Sequence, residues 1–284
     1  MSTSRKILAP RMELVLGAGG VKGYGHVGVI RSIEKQRIAI GDVTGVSIGS
    51  LIAAFYCNGY NAEQIRTILE KETFLQEGAQ TLRRWRKALT LDAVLAAGLT
   101  NLGPIMQKVV SKYKLDSGKG LKIVAFDIRS RSPVLFSGKD YDLSLAIASS
   151  CAVPLVMQPV INGISSQKSL LVDGAIHHTH PVQFCKGPAI VSKLGFASRL
   201  PLESLPAAEM LLHFAEMANH LLLDWYFEDP DPQHILIESG MPEVGTLSFS
   251  SSEKTCQKMV QHGERQADSK LKRLRRAGRL PLVS

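Results

Sequence analysis

The chain has 284 residues, of which 45% are hydrophobic and 21% are charged, and this composition excludes an intrinsically disordered protein. Its net charge of +9 suits an anionic partner, such as nucleic acid or a phospholipid surface, and equally suits ordinary surface charge. The sequence has no signal-peptide core and no apolar run of about 18 residues, so we expect a cytoplasmic protein whose membrane role is peripheral. Secretion without a signal peptide stays open. Four widely spaced cysteines indicate reduced thiols.

The chain alternates short apolar strands with helices. Residues 1–11 are a predicted disordered basic lead-in, residues 12–16 a buried strand, and residues 23–36 a helix. A strand at 43–46 leads into a helix at 48–58, and Asn61 with Gln64 predicts a capped helix to 73. The later predicted elements are a helix at 103–114, strands at 121–128 and 134–136, a helix at 143–152, strands at 170–172 and 189–191, a helix at 206–225, a strand at 235–237, and a final helix after Ser251 or Ser252. This alternation predicts a three-layer α/β/α fold around a mostly parallel sheet.

A glycine-rich loop at 17–23 joins the first strand to the first helix. Backbone N–H groups at such a turn can bind an anion. A dinucleotide site is disfavoured because Lys22 stands where a third glycine is required, and a phosphate loop because no Gly-Lys-Ser/Thr triplet follows. The remaining interpretations are an oxyanion hole and a packing turn that binds nothing.

Two further stretches carry candidate catalytic groups. Gly45, Ser47 and Gly49 form a G-x-S-x-G pattern between a strand and a helix, typical of a turn that exposes a serine hydroxyl. Ser47 is either a nucleophile or a helix cap. Asp173 follows a predicted strand and precedes Gly174, so it is either the base for Ser47 or a turn aspartate.

Together these stretches resemble the patatin-like phospholipase family. The matching motifs are the glycine loop Gly19-Gly20-Val21-Lys22-Gly23, the G-x-S-x-G pattern at 45–49, the Asp173-Gly174-Ala175 triplet, the small-residue block at 148–154, and a closing strand and helix from 245 onward. The resemblance divides the chain into a lead-in at 1–11, a patatin-like catalytic domain at 12–268, and a basic C-terminal tail at 269–284. The sequence departs from the family pattern at Ala18, where many members have glycine, and at Thr179 and His180, where the family often has Asn-Asn.

The resemblance implies a serine lipid acyl hydrolase, a phospholipase A or lysophospholipase, that cleaves fatty-acyl esters of (lyso)phospholipids without a cofactor or metal. Ser47 would be the nucleophile and Asp173 the general base of a dyad. The implied oxyanion hole consists of Gly19, Gly20, Val21 and Lys22, and Gly45 and Gly49 would shape the nucleophile elbow. A transacylase with the same acyl-enzyme and a non-catalytic lipid-binding scaffold are the alternatives.

The histidines allow several interpretations. His177, His178 and His180 could belong to a metal site, supply a triad histidine, or form a solvated polar loop, which we favour because adjacent histidines are poor zinc ligands. His26 is interpreted as a surface residue of the first helix.

The C-terminal tail is strongly basic. Leucines 271, 274 and 280 alternate with the cationic residues Lys270, Lys272, Arg273, Arg275, Arg276 and Arg279. This pattern predicts a helix that binds an anionic membrane, with a solvated helix end as the alternative. The basic run at 83–87 is either a second surface contact, the flank of a lid, or a run without such a role. A nucleic-acid partner is not expected because no nucleic-acid-binding motif accompanies the charge, whereas a protein activator and the oligomeric state stay open.

Overall fold

The computed structural model describes residues 11–72, 100–118, 120–154, 156–163, 168–195, 233–245 and 251–282. The predicted basic run at 83–87, the predicted helix at 206–225, and nearly all of the predicted lead-in and closing strand lie outside these residues.

The described residues form eight strands and six α-helices. In order they are β1 (Met12–Leu16), α1 (Tyr24–Lys35), β2 (Ile40–Val46), α2 (Ile48–Cys57), α3 (Ala62–Lys71), α4 (Gly103–Tyr113), β3 (Leu121–Asp127), β4 (Ser132–Ser137), α5 (Leu143–Ser150), β5 (Val160–Asn162), β6 (Ser169–Asp173), β7 (Ala189–Lys193), β8 (Ile235–Glu238) and α6 (Glu253–Arg276). Every predicted element within the described residues is present, with ends shifted by a few residues. β5, which has three residues, is not among the predicted elements.

Helix starts follow the expected capping chemistry. The Asn61 side chain accepts a hydrogen bond from the Gln64 amide, and the Gln64 side chain accepts one from the Asn61 amide, each at 2.9 Å. This reciprocal pair fixes the start of α3. Ser252 caps α6 by accepting from the Thr255 amide, which identifies Ser252 as the start that the sequence left undecided.

The strands form a central mixed sheet flanked by helices, which confirms the predicted α/β class. The strand order is β5-β6-β3-β2-β1-β7-β8, and β4 pairs with β3. β1, β2, β3, β7 and β8 pair in parallel, whereas β4 and β6 are antiparallel to β3 and β5 is antiparallel to β6. Carboxyl ends of parallel strands lie at one edge of a sheet, so the loops after β1 and β2 face the same crevice.

Side chains alternate between the two faces of β1 and thereby supply two apolar clusters. Leu14 and Leu16 belong to the main core, which also contains residues from all six described helices. Val15 packs with Ala189 and Val191 in a smaller cluster. The four cysteines form no disulfide bond with one another.

Candidate active site

The edge of β3 explains how the two candidate catalytic residues meet. β4 pairs with one edge of β3, so β2 and β6 share the other edge. β2 runs parallel to β3 and ends with Val46 opposite Val124, whereas β6 runs antiparallel and ends with Asp173 opposite Ala125. The carboxyl ends of β2 and β6 therefore meet head to head, and Ser47, the residue after β2, lies beside Asp173.

The backbone at Ser47 is a tight elbow between β2 and α2. Ser47 has φ 54° and ψ −131°, a strained conformation for a residue that is not glycine. A Cβ atom at Gly45 would lie 2.5 Å from the Gly49 carbonyl oxygen, and one at Gly49 would lie 2.1 Å from the Leu16 carbonyl oxygen. Neither position can hold a side chain, which explains the G-x-S-x-G spacing.

The Ser47 hydroxyl does not cap the helix that follows it. Its side chain makes no capping hydrogen bond to α2, so the helix-cap interpretation is wrong. Instead, the side chain of Ser47 lies beside the Asp173 carboxyl group, and its interaction with that group lowers the carboxyl pKa that burial raises. The helix that starts at Ile48 directs the positive end of its dipole toward this position. The arrangement places a hydroxyl, a base and a positive field at one point.

Burial controls the basicity of Asp173. Only 3% of this residue is exposed, and its burial raises the pKa of its carboxyl group to about 7. Hydrogen bonds from the Ser47 side chain and from the Ala175 amide, the latter at 2.9 Å, oppose the rise because they stabilise the charged carboxylate. Because its pKa is near neutrality, the carboxyl group can both accept a proton and return it under physiological conditions.

Ser150 holds the elbow against the sheet. Its hydroxyl accepts a hydrogen bond from the Ser47 amide at 2.9 Å and donates one to the Val124 carbonyl oxygen at 2.6 Å. Val124 is the β3 residue at which pairing passes from β2 to β6. The sequence showed Ser150 only as part of a small-residue block, because nothing in the sequence indicates that β6 is antiparallel to β3.

The glycine loop lies against the first turn of α2. A Cβ atom at Gly23 would lie 2.6 Å from the Ile48 side chain. The amides of Gly17 and Ala18 donate to backbone carbonyl groups, whereas within the described residues the N–H groups of Gly19 and Gly20 have no acceptor. Two adjacent donors beside a nucleophile have the composition of an oxyanion hole.

Lys22 is part of the implied oxyanion hole, to which the resemblance has it add positive charge. Its amide donates to the Gly19 carbonyl oxygen at 3.0 Å and so is not available to an oxyanion. Its side chain is fully buried, and its ammonium group donates to the Gly195 carbonyl oxygen at 2.5 Å. Val21 is also buried, at 3% exposure. Gly19 is buried too, and the Val21 amide, like those of Gly19 and Gly20, has no acceptor within the described residues, so these three residues present the donors of the predicted hole.

His26 is not a surface residue, so that prediction is wrong. It is fully buried, its Nε2 atom lies 2.8 Å from the Gly17 carbonyl oxygen, and its Nδ1 atom lies 2.7 Å from the Ser192 hydroxyl. A carbonyl oxygen only accepts, so Nε2 carries the proton and Nδ1 accepts from Ser192. Burial lowers the pKa of His26 to about 4, which keeps it neutral and fixes this arrangement at the start of the glycine loop.

The histidine loop follows the Asp173 turn. His177 stacks on Phe126 with ring centroids 5.7 Å apart and packs edge-on against His178. Burial and the neighbouring histidines lower the pKa of His178 to about 4, and His180 Nδ1 lies 2.9 Å from the Thr179 hydroxyl. Across the described part of the chain, no cluster of three or more His, Cys, Asp or Glu side chains could hold a metal.

The basic tail belongs to α6, which continues without a break across residue 268. Leu271 is fully buried and Leu280 is 8% exposed, so these leucines contribute to the protein core. Lys270 donates to the Leu236 carbonyl oxygen and Lys272 pairs with Asp268. Among the described residues of the tail, Leu282, at 46%, is the one large apolar side chain that is exposed. No helix in the described ranges has the length and apolar character to cross a bilayer.

α6 also places the basic tail far from Ser47. It runs in the same direction as α1, because Arg31 pairs with Glu264 and Ser32, further along α1, bonds to Asp268. α1 starts at the carboxyl end of β1 and leads to the start of β2. The Ala39 amide, just before β2, donates to the Pro281 carbonyl oxygen at 2.9 Å. The tail thus lies at the amino ends of the strands, opposite the candidate active site.

Comparison with known proteins adds sequence and fold relatives. The chain is 24% identical over 192 residues to the protein YqhO of Bacillus subtilis, a match that covers 59% of this chain and 64% of YqhO. It is 37% identical over 91 residues to lysophospholipase NTE1 of Mycosarcoma maydis, covering 32% of this chain and 5% of that protein. The chain thus spans less than two thirds of YqhO and a small part of NTE1.

A solved structure has a related fold. VipD from Legionella pneumophila superposes with a TM-score of 0.55 at 14% identity, covering 96% of this chain and 72% of that one. The model of the patatin-like phospholipase family matches residues 14–185, more than half of the chain, and this range includes the glycine loop, Ser47 and Asp173. The chain therefore belongs to the patatin-like phospholipase family.

Proposed function

We propose that the protein is a serine lipid acyl hydrolase that cleaves fatty-acyl esters of phospholipids or lysophospholipids through a Ser47–Asp173 dyad. The observation that carries this proposal is the strand register that places Ser47, at the end of β2, beside the buried Asp173 carboxyl group at the end of β6. Family membership and the lysophospholipase name of one relative favour a lipid ester as the substrate. For a member of this family, formation of an acyl-enzyme on Ser47 is the simplest reaction that this arrangement supports.

In acylation, the Ser47 oxygen attacks the ester carbonyl carbon while Asp173 accepts the hydroxyl proton. The carbonyl electron pair moves to its oxygen, and the N–H groups of Gly19 and Gly20 stabilise the resulting oxyanion. When the tetrahedral intermediate collapses, the bond to the alcohol oxygen breaks, and Asp173 gives its proton to the leaving alkoxide. The products are an ester on Ser47 and a free lipid alcohol.

In deacylation, Asp173 takes a proton from water, whose oxygen attacks the acyl-enzyme. Collapse of the second intermediate releases the fatty acid and returns the proton to the Ser47 oxygen. If a lipid alcohol replaced water, the same steps would make the protein a transacylase. If the dyad did not react, the fold would be a lipid-binding scaffold.

Covalent labelling tests the dyad. We expect a fluorophosphonate probe to add one adduct per chain, located on Ser47 by peptide mass spectrometry. Ser47→Ala should abolish the adduct, and Asp173→Asn should slow labelling and ester hydrolysis by about 10³-fold or more, as loss of a general base does in serine hydrolases. Ser149→Ala removes a neighbouring buried hydroxyl that bonds within its own helix, and it should label normally.

Folded protein without an adduct on Ser47 would remove the enzyme interpretation and leave the scaffold. Product analysis then separates the two enzymes. Free fatty acid in the presence of excess lysophospholipid indicates hydrolysis, whereas a new diacyl product indicates acyl transfer.

A further inference from the structure

Large apolar side chains that face solvent are concentrated near the candidate active site. Within the described residues, five large hydrophobic side chains are exposed. Three of them are isoleucines: Ile161 at 61%, Ile128 at 43% and Ile176 at 40% exposure. Exposed isoleucine costs free energy in water, so a group of three near a lipid-processing site indicates a surface that is covered in use.

Strand register places the isoleucines relative to the dyad. Asp173 pairs with Ala125, and the Ile128 amide bonds to the Leu170 carbonyl oxygen, three residues further out along each strand. At about 3.3 Å per residue, Ile128 extends about 10 Å beyond Asp173 on the carboxyl side of the sheet. Ile161 lies opposite Leu170 on the neighbouring strand β5.

Ile176, the third exposed isoleucine, follows Asp173 in the chain. It ends the short helical turn that begins at Gly174, directly after Asp173. Ile128 and Ile161 thus lie beside Leu170 near the amino end of β6, and Ile176 lies just after its carboxyl end, which carries the candidate base.

A buried carboxylate holds the tip of the β3–β4 hairpin rigid. Asp127 accepts hydrogen bonds at 3.0 Å from the amides of both Arg129 and Leu170, and at 3.1 Å from the Ser130 hydroxyl. These bonds join the hairpin tip to β6, and they hold the pKa of Asp127 below its usual range despite its burial. The hairpin tip therefore holds Ile128 in a fixed position, so little conformational entropy is lost when Ile128 contacts a membrane surface.

The same tip carries positive charge. Arg129 and Arg131 are exposed, and neither guanidinium has an acidic partner in the described part of the chain. Isoleucines flanked by unpaired arginines suit an interface in which apolar side chains enter the acyl region while guanidinium groups bind lipid phosphates.

The basic tail offers less apolar surface than the hairpin end, since Leu282 is the one exposed large apolar side chain among its described residues. Its leucines 271 and 280 are in the core, and its cations lie at the opposite end of the sheet from Ser47. A membrane bound there would leave the dyad about 17 Å or more away, which is the length of a five-residue strand. Cations in the last turn of a helix are also explained by the helix dipole alone.

We propose that Ile128, Arg129, Arg131, Ile161 and Ile176, here named the isoleucine rim, are the surface with which this protein docks onto an anionic lipid membrane. Insertion of the rim by 5–10 Å, a typical depth for interfacial apolar side chains, roughly matches the ~10 Å by which Ile128 projects beyond Asp173. Docking by the rim brings the lipid layer to the entrance of the Ser47–Asp173 crevice. The inference deepens the proposed function and rests on a lipid being its substrate.

Vesicle binding tests the rim. Wild-type protein and an Ile128→Ser/Ile161→Ser variant are co-sedimented with phosphatidylcholine vesicles, with and without phosphatidylglycerol. We expect the double variant to bind the anionic vesicles at least about tenfold more weakly, because each isoleucine loses most of its apolar area. Arg129→Gln/Arg131→Gln should remove the preference for phosphatidylglycerol. Turnover of a short-chain, monomeric ester should stay unchanged in both variants, since no membrane is involved.

Controls at the far end of the sheet match these changes. Leu282→Ser removes an exposed leucine of 46% exposure, and Arg273→Gln/Arg276→Gln removes two tail cations. Neither should weaken vesicle binding as the rim variants do. If the tail variants lose binding and the rim variants keep it, the inference is overturned and the tail is the membrane surface.

A second measurement detects insertion of the rim directly and does not depend on a variant that loses vesicle binding. Ile161→Trp should show a blue shift of its fluorescence on anionic vesicles and quenching by brominated acyl chains. An unshifted spectrum on vesicle-bound protein would show that the rim does not insert. Vesicle binding by Ser47→Ala separates the two proposals, because the rim can dock lipid even if Ser47 proves not to be a nucleophile.

Discussion

At the scale of single residues, Asp173 carries the largest electrostatic cost in the site. Its carboxyl group is buried, and two hydrogen bonds recover only part of the lost hydration. The result is a base whose pKa of about 7 is far closer to neutrality than that of an exposed aspartate. A dyad without histidine needs such a shift, because an ordinary carboxylate is too weak a base to share the proton of a serine hydroxyl.

The pH dependence of turnover follows from this shift. The base must be deprotonated, so kcat/KM for a monomeric ester should rise with pH through a midpoint near 7, the pKa of Asp173. Measurement between pH 5 and 9 checks this, with liposome-free substrate so that membrane charge does not contribute. A midpoint near 4 would show that Asp173 is not the titrating base.

Stability should depend on pH with the opposite sign. The folded-state pKa of Asp173 lies above the value of 3.8 for a free aspartate, so the folded state favours the protonated form. Its stabilising contribution is complete below about pH 4 and is lost as the pH rises through 7. Asp173→Asn stays neutral, and its melting temperature relative to wild type should therefore increase between pH 5 and pH 8. A constant difference would contradict the assignment of the raised pKa to this residue.

The sequence predicts some site residues better than others, for physical reasons. Ser47 and the glycines around it were visible because a strained elbow tolerates few residue types. His26 was misplaced because its burial depends on packing between distant parts of the chain, including Ser192. The contact of Lys22 with Gly195 is equally non-local, since 173 residues separate the two.

At the scale of secondary-structure elements, the unpredicted feature is the antiparallel placement of β6. The hydrophobic runs predicted a parallel βαβ pattern, and β1, β2, β3, β7 and β8 follow it. The three-residue β5 and the direction of β6 are set by pairing with β3, which local sequence does not encode. Yet this reversal is what directs the carboxyl end of β6, and with it Asp173, at the end of β2.

Ser150 connects secondary-structure elements around the dyad, because its hydroxyl joins α5 to β3 and to the elbow. Ser150→Ala would leave the Ser47 N–H and the Val124 carbonyl oxygen buried without these partners, at a cost of about 1–3 kcal/mol for each group. We expect a free energy of unfolding lower by at least ~1 kcal/mol and a kcat reduced at least tenfold with little change in KM, since the nucleophile loses its position.

Ser149→Ala is the matched control for this change. Ser149 is equally buried, but its hydroxyl bonds to Leu145 within its own helix. It should lose little stability and no activity. Ser150→Thr keeps a hydroxyl and should recover part of kcat. Equal effects of Ser149→Ala and Ser150→Ala would mean that Ser150 only fills space.

At the scale of the whole molecule, the two ends of the sheet have different surfaces. The carboxyl end carries the dyad and the isoleucine rim, whereas the amino end carries the exposed cations of α6 and the residues that follow it. From the sequence, the basic tail could be a membrane contact or a solvated helix end, because periodicity reveals an apolar face without revealing what covers it. In α6 the protein itself covers that face.

Truncation after residue 268 tests whether residues 269–284 are a separable tail. Leu271 and Leu280 are buried, and the Ala39 amide bonds to the Pro281 carbonyl oxygen, so removal of this segment uncovers the core beside β2. Burial of a leucine contributes about 1.5–3 kcal/mol, so we expect the truncated protein to lose ~3–6 kcal/mol, a large share of the stability of a typical domain. Urea unfolding followed by circular dichroism measures the loss. The full-length Arg273→Gln/Arg276→Gln variant, which removes only exposed charge, should unfold at the same urea concentration as wild type. If the truncated protein is as stable as the full chain, residues 269–284 are an appendage, and the buried leucines contribute nothing to folding.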